Sequence, residues 1–284
     1  MKKLSLVFLI FLFTSASAQD RDSAEDAREA AIPHIYHVNG WVTAPIIVVG
    51  SVGSFFAYYT GLAKKPTITD AEFNGLDRRV FGIDSWALDQ PVPANRNALI
   101  TQSYILQFAI GLAPITLFID ERIGHDWGRI FAMLLEVNAV SVSLYTMSPL
   151  GPLFQDKYRP YVYYDNLPRT ERNSGYNRNS FYSGHVAAAA AATFFMGKVY
   201  TDYYPNANKF LVYAGATLPP LVVGYMRFKA LEHFPSDILV GLSMGALCGV
   251  LIPELHKIDS KDLSVGFYSS PTSGTGIAMQ AVLK

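Results

Sequence analysis

Charged residues are scarce in this chain of 284 residues, where Asp, Glu, Lys and Arg together make up 16%, against roughly 25% in soluble globular domains. The 23 basic residues balance the 23 acidic ones, which excludes a nucleic-acid-binding protein that relies on excess positive charge. Hydrophobic residues make up 50% of the chain, which excludes an intrinsically disordered protein. Little charge with much apolar material indicates a protein in contact with lipid.

Cysteine is nearly absent as well. Cys248 is the single cysteine of the chain, so no intramolecular disulfide stabilises the fold. It lies within an apolar run and is predicted to be a small core residue. The sequence also lacks an internal repeat and a Gly/Ser-rich linker that would divide it into two domains. We therefore predict one helical domain, over residues 41–256.

The first residues have the pattern of a targeting segment. Two lysines precede an apolar stretch at residues 4–13, and Ala16-Ser17-Ala18 forms a small-x-small cleavage site. This pattern is typical of a bacterial secretory signal peptide, here residues 1–18. An uncleaved anchor helix is the alternative, but the apolar stretch is short for a span of about 20 residues. A polar arm at residues 19–40 follows, and the chain is predicted to lie in the bacterial cell envelope.

Six apolar segments predict an all-α, membrane-embedded bundle of six helices. The segments are residues 41–63, 98–119, 127–150, 186–196, 210–226 and 238–251. The last three are shorter than an ideal span, so core helices of a soluble bundle are the alternative for them. Residues 257–284 form a short tail with β-leaning stretches at 263–269 and 276–283, which is either a hairpin or a flexible end.

The most informative motif is RFKALEHFPSD, from Arg227 to Asp237. Pro235 is well placed to begin a helix, with His233 just before it. Asp237 follows His233 by four residues, so one helical turn can bring its carboxylate to a ring N–H. Such a bond would leave the other ring nitrogen free to attack an electrophile. The alternative is a helix-capping aspartate beside a hydrogen-bonded histidine.

Two further motifs suit a bound phosphate. In SFYSGHVAAAAAA, Ser183 is a natural N-cap, Gly184 lets a ligand approach the backbone, and His185 can deliver a proton to a leaving oxygen. The free N–H groups of that helix start favour an anion. In DKYRPYVYYD, Arg159 offers a fork of donors and Lys157 a point charge. A plain capped helix start and interfacial anchor residues are the simpler alternatives.

In this order, the three motifs resemble those of the phosphatidic acid phosphatase type 2 (PAP2) and haloperoxidase superfamily, over roughly residues 98–256. The resemblance implies that His233 is a nucleophile that forms a phosphohistidine, that Asp237 orients it and that His185 protonates the leaving alcohol. It implies a metal-independent reaction without a cofactor. It also implies phosphate binding by Arg159, Arg227, Ser183 and the Gly184 backbone N–H.

The sequence departs from the family pattern at three positions. Pro152 stands where the family usually has a lysine, so Lys157 is a candidate replacement in phosphate binding. Tyr182 replaces a proline, and Met226 replaces a serine, which removes one hydroxyl donor. Outside the motifs, His34 and His37 have a spacing that suits a metal, but without a Cys or carboxylate pattern beside them we expect plain surface histidines.

The sequence thus predicts a membrane-embedded phosphatase that acts on a lipid phosphate or diphosphate, such as a phosphatidate-like lipid, an isoprenyl diphosphate or lipid A. A soluble periplasmic acid phosphatase and a non-catalytic lipid-phosphate-binding protein are the alternatives; a vanadate haloperoxidase is the least favoured. We expect an inner-membrane protein whose site faces the periplasm. Six spans after a cleaved signal peptide would instead place the motifs in the cytoplasm, unless residues 41–63 are re-entrant or packed inside the bundle.

Overall fold

The computed structural model describes residues 34–258, 263–270 and 274–281, and six long helices in these ranges form a bundle. The helices are α1 Gly40–Thr60, α2 Arg96–Leu112, α3 Trp127–Met147, α4 Gly184–Tyr203, α5 Lys209–Lys229 and α6 Pro235–Leu255. They coincide with the six predicted apolar segments, so the predicted fold class is confirmed. The predicted signal peptide and residues 19–33 of the arm lie outside the described residues.

Shorter elements fill the connections between the long helices. Four short α-helices are Asp70–Asn74, Ser85–Leu88, Glu121–Gly124 and Arg169–Arg172. Five 3-10 helices are Leu62–Lys64, Gly82–Asp84, Ala113–Ile119, Pro160–Tyr163 and Gly175–Arg178. The connections at 61–95 and 148–183 are the long ones, and both lie at the same end of the bundle.

Helix α4 lies at the centre of the bundle and packs closely against α6. A Cβ atom added to Gly241, Gly245 or Gly249 would lie 2.5, 2.1 or 2.6 Å from a backbone oxygen of α4 or its N-cap residue. These glycines are spaced by four residues and therefore share one face of α6. Their partners advance along α4 in the same direction, so the two helices are parallel and begin at the same end. Small residues allow backbones to approach this closely.

Replacing Gly245 by alanine is expected to destabilise the fold by about 1–3 kcal/mol, because the new methyl group overlaps the carbonyl oxygen of Ala187. The matched control is Gly215→Ala in α5, where an added Cβ meets nothing within 4 Å. That control should be neutral or more stable by up to about 1 kcal/mol, because alanine favours helix. Unfolding in detergent micelles measures both changes, and equal stability of the two variants would contradict the close contact.

The outer surface of the bundle is apolar. On α1, the side chains of Val49, Phe55 and Phe56 are all more than half exposed. Among the described residues, four stretches are long and apolar enough to cross a membrane: Gly40–Lys64, Arg96–Ile119, Trp127–Met147 and Pro235–Leu255. These features make the chain a membrane protein. Helix α1 is continuous and largely exposed, so the other helices do not enclose it.

The largest core cluster lies between α3, α4 and α6. Cys248 is 5% exposed and packs in this cluster with Phe195 and Ile252. The prediction of a small core cysteine is therefore confirmed. Burial in an apolar core favours the neutral thiol.

The C-terminal tail forms a β-hairpin, one of the two possibilities that its sequence left open. Strand β1, Leu263–Ser270, pairs antiparallel with β2, Gly274–Ala281. Leu263 lies opposite Ala281, and Ser270 lies opposite Gly274 at the turn. The two strands therefore pair along their full length.

Candidate active site

The three motifs meet at one end of the bundle, where α3 and α5 end and α4 and α6 begin. The backbone N–H of Ser183 donates to the carbonyl oxygen of Asp237 at 3.0 Å. The Arg159 guanidinium donates to the carbonyl oxygen of Glu232 at 3.1 Å. The structure thus brings together residues that are distant in sequence, as the order of the motifs predicts.

His233 is buried, with 1% of its surface exposed, in the connection between α5 and α6. Its Nδ1 lies 2.7 Å from the carbonyl oxygen of Ser180. A carbonyl oxygen can only accept, so Nδ1 carries the proton and Nε2 keeps a lone pair. Burial above all, together with the charges of Arg159 and Arg227, lowers the pKa of His233 to about 4 against the opposing effect of Asp237. The ring is therefore neutral near neutral pH, as a nucleophilic histidine must be.

The ring of His233 is expected to stay neutral until the pH falls to about 4, far below the ordinary range of histidine. Histidine-selective ¹⁵N NMR in micelles measures this, with the signal identified by its absence from a His233→Gln variant. The unfolded chain takes up this proton near pH 6.5, so His233 should cost stability as the pH falls from about 6.5 towards 4. A midpoint near 6.5 in the folded protein would contradict the buried, neutral ring.

Asp237 is positioned differently from the prediction. Its Oδ2 lies 3.8 Å from Nδ1 of His233, too far for the predicted direct hydrogen bond. That oxygen accepts instead from the Ser180 hydroxyl at 2.7 Å and from the Phe234 backbone N–H at 2.9 Å. Asp237 therefore caps α6 and holds Ser180, and Ser180 in turn holds the histidine.

Two buried arginines share one carboxylate beside His233. Arg159 and Arg227 are 1% and 0% exposed, and both donate to Oε2 of Glu232, at 2.5 and 3.0 Å. Arg96 donates to the other oxygen at 2.9 Å. Burial alone would raise the pKa of Glu232, but the three guanidinium groups outweigh it and hold the pKa below its ordinary value. Three cations and one anion leave this cluster positively charged.

Sequence reasoning missed Glu232 and Arg96. Glu232 directly precedes His233, and a lone acid next to a motif histidine was the one available signal. Its partners Arg159 and Arg96 are 73 and 136 residues away in the chain, so no spacing pattern could reveal the cluster.

Buried donors without a partner surround the cluster. Within the described ranges, the Nε atoms of Arg159 and Arg227 and the hydroxyl of Ser183 have no hydrogen-bond partner. Ser183 occupies the predicted N-cap position of α4, but its side chain makes no capping bond. Buried polar groups are normally paired, so these three donors suit an anion that carries several acceptor oxygens.

His185 lies in the first turn of α4 beside this charge. Its ring packs edge-on against the Tyr104 ring, with 4.6 Å between centroids. The guanidinium of Arg227 lies 5.4 Å from the centroid of that Tyr104 ring. An added Cβ on Gly184 would meet the Tyr145 ring at 3.0 Å. The glycine therefore lets an aromatic ring approach the helix start.

A cavity of about 670 Å³ opens beside His185. Gly184, His185 and Tyr176 line its end near the arginines, and Phe55 and Leu135 are among the apolar residues that line the rest. Its walls come from α1, α2, α3 and α4. The site thus joins a polar end to an apolar space within the bundle.

Lys157 does not join the unpartnered donors. Its ammonium group has three donors, which bond to Asp84 at 2.9 Å, Ser236 at 2.9 Å and Asp237 at 2.7 Å. The lysine therefore supports the beginning of α6. Pro152, at the position of the family lysine, supplies no charge in its place.

The comparison with known families agrees with these motifs. The family model of the PAP2 superfamily matches residues 130–259. The matched segment is less than half of the chain and is similar to this superfamily. It begins inside α3 and contains Arg159, Ser183, His185, His233 and Asp237, whereas α1 and α2 precede it. The resemblance noted from the motifs is thereby confirmed.

Individual known proteins resemble the chain only weakly. Among curated protein sequences, none matches the chain. A solved transmembrane PAP2-type phosphatidylglycerolphosphate phosphatase from Bacillus subtilis is similar to it, with 19% sequence identity and a TM-score of 0.38. The similarity covers 73% of this chain and 94% of the other.

Proposed function

We propose that this membrane protein is a phosphatase of the PAP2 superfamily that hydrolyses a lipid phosphate or diphosphate through a phosphohistidine on His233. The observation that carries the proposal is the buried, neutral His233 beside the unpartnered donors of Arg159, Arg227 and Ser183. Phosphoryl transfer requires positive charge around three equatorial oxygens and a nucleophile in line with the leaving group. These side chains provide both.

The donors bind the phosphoryl group first. The two guanidinium Nε–H groups, the Ser183 hydroxyl and the Gly184 backbone N–H take the phosphoryl oxygens, and the start of α4 adds its partial positive charge. The buried position keeps these interactions strong, because little water competes for them. Substrate binding would thus satisfy three donors that lack a partner among the described residues.

The histidines then carry the reaction in two steps. Nε2 of His233 attacks phosphorus and the bond from phosphorus to the ester oxygen breaks. His185, which takes up a proton when the anionic phosphoryl group is bound beside it, gives that proton to the leaving alcohol. Neutral His185 next takes a proton from water, whose oxygen attacks the phosphohistidine, and inorganic phosphate leaves. Ser180 holds the Nδ1 proton of His233 throughout, at 2.7 Å.

The cavity beside His185 favours a lipid substrate. A volume of about 670 Å³ with mostly apolar walls suits a hydrocarbon chain next to the polar end where the phosphate would bind. Three of the helices that line it, α1, α2 and α3, are long and apolar enough to cross a membrane, which supports a position of the cavity at lipid depth. Phosphatidate-like lipids, isoprenyl diphosphates and lipid A all have this combination of chain and phosphate.

Narrowing the cavity is expected to discriminate lipid from soluble substrates. Ala188 lines the cavity, so Ala188→Phe should lower kcat/KM for a lipid phosphate by about tenfold and should lower it less for p-nitrophenyl phosphate. The control is Ala214→Phe, at an exposed position of α5, which should change neither. Equal losses on both substrates would contradict a lipid-binding cavity.

Phosphate release tests the function itself. Purified protein is assayed with phosphatidate, an isoprenyl diphosphate, lipid A and p-nitrophenyl phosphate, with His233→Ala as the blank. Release from at least one lipid above this blank is expected. No release above the blank, together with vanadate binding, would favour the non-catalytic alternative that the departures at Pro152 and Met226 suggest.

The structure sharpens the question of orientation. Because α1 is continuous, six spanning helices would place His34 and the candidate active site on opposite faces of the membrane. A cleaved signal peptide and a periplasmic site are then incompatible. An impermeant thiol reagent applied to cells shows which end of the bundle faces the periplasm, because it labels a cysteine there. One cysteine is introduced at exposed Gln155 near the site and, in a second variant, at exposed His37 at the other end.

A further inference from the structure

A second cluster of polar side chains lies at the end of the bundle opposite the candidate active site. His34 precedes α1, and His125 and Asp126 directly precede α3. One ligand atom from each of the three lies within 4.8 Å of the others. The two imidazole rings stack, with 5.1 Å between centroids and 12° between planes. The structure thus pairs His34 with His125, whereas the sequence spacing paired it with His37 and favoured plain surface histidines for both.

His125 has the hydrogen bonding of a metal ligand. Its side chain is 7% exposed, and its Nδ1 lies 2.7 Å from the carbonyl oxygen of Arg122. That carbonyl fixes the proton on Nδ1 and leaves a lone pair on Nε2. In the described part of the chain, this buried Nε2 has no hydrogen-bond partner. Metal-binding histidines almost always donate their other ring N–H in this way, often to a backbone carbonyl.

His34 and Asp126 bring two further ligand atoms to the same place. Nδ1 of His34 lies 2.7 Å from Oδ1 of Asp126 and 3.0 Å from a guanidinium nitrogen of Arg129. This nitrogen cannot donate to the carboxylate and accept from the guanidinium at once. A cation would instead bind the lone pair of the His34 Nδ1 and a lone pair of the Asp126 Oδ1 together. The Tyr203 hydroxyl donates to Oδ2 of Asp126 at 2.6 Å and fixes the carboxylate.

The guanidinium of Arg129 opposes a cation here. Arg129 forms an ion pair with Asp126 but is 40% exposed, so its guanidinium can move into solvent when a cation binds the carboxylate. Arg129 and a metal ion therefore compete for the same oxygen.

We propose that His34, His125 and Asp126 bind a divalent transition-metal ion, with Zn²⁺ the best match. Two imidazoles and one carboxylate are a typical donor set for zinc, whereas Ca²⁺ and Mg²⁺ prefer oxygen ligands alone. Helix α3 has 21 residues and separates the cluster from the candidate active site by about 30 Å. The ion would therefore join the segment before α1 to the start of α3 and, through Tyr203, to the end of α4.

Zinc binding to the full-length protein tests the proposal. The protein is purified in detergent, treated with EDTA and titrated with Zn²⁺ by calorimetry. We expect one Zn²⁺ per chain and a higher melting temperature in its presence. His125→Gln should weaken binding by about tenfold or more, and His37→Gln, the matched control on the same segment, should not. Arg129→Gln should strengthen binding, because it removes the competing cation.

The result that would overturn the proposal is wild-type protein that takes up no stoichiometric Zn²⁺, or equal affinities of the His125→Gln and His37→Gln variants. If His125→Gln does not fold, His34→Gln replaces it, since the His34 side chain is 47% exposed. The visible absorption of bound Co²⁺ gives a second readout, and an unchanged spectrum in folded His34→Gln would also refute the site. None of these measurements depends on phosphate release.

Discussion

Replacing His233 by alanine is expected to lower phosphate release by a factor of about 10⁴ or more, because the variant lacks the proposed nucleophile. Arg159, Arg227 and Ser183 remain in this variant, so it should still bind inorganic phosphate or vanadate. Initial rates with a lipid phosphate give the loss. Labelling with a ³²P substrate and rapid quenching at alkaline pH, where phosphohistidine survives, shows whether the covalent intermediate forms.

The proposed roles of the two histidines separate in a matched variant. His185→Ala removes the proton donor but keeps His233, so it should slow cleavage of an alkyl phosphate far more than that of p-nitrophenyl phosphate. The reason is that p-nitrophenol leaves readily without a proton. Wild-type levels of phosphoenzyme in His233→Ala, or equal losses of His185→Ala on both substrates, would contradict the assignment.

Glu232→Gln is expected to destabilise the protein by about 3–5 kcal/mol, because it leaves the buried guanidinium groups of Arg159 and Arg227 without their carboxylate. The matched control is Glu171→Gln, which removes a carboxylate that is 51% exposed and lies 3.4 Å from Arg96. An exposed pair of this kind contributes about 1 kcal/mol or less. Unfolding in detergent micelles measures both variants.

Added phosphate provides a second measurement on the same pair of variants. Inorganic phosphate or vanadate should raise the melting temperature of Glu232→Gln more than that of wild type, because it supplies the anion that the arginines have lost. A small, equal destabilisation by Glu232→Gln and Glu171→Gln would show that the carboxylate is not needed to hold the arginines.

The sequence predicts the helices well for a simple physical reason. Uncharged runs such as residues 41–63 and 98–119 are too long for strands and too apolar for loops, so their helical structure follows from composition alone. The hairpin was harder to predict, because strand pairing depends on contacts between segments rather than within one. Its β-leaning stretches were visible, whereas the register of Leu263 with Ala281 was not.

The candidate site was predicted in its members but not in all its contacts. The spacing of His233 and Asp237 suggests a contact across one helical turn, yet Pro235 begins α6 after the histidine. His233 is therefore outside the helix, and the turn geometry does not apply to it. The sequence likewise favoured Lys157 as a phosphate-binding residue. It does not show that Asp84, 73 residues earlier, accepts a hydrogen bond from this lysine at 2.9 Å.

The glycine face of α6 determines which parts of the site can vary in sequence. Because α6 contacts α4 through backbone oxygens, the spacing between the SGH motif and the His-Asp motif depends on main-chain atomic radii and not on side-chain conformation. Helices α1 and α2 line the cavity from outside this pair. Substitutions on these two helices can therefore change the shape of the cavity while the two motifs keep their separation.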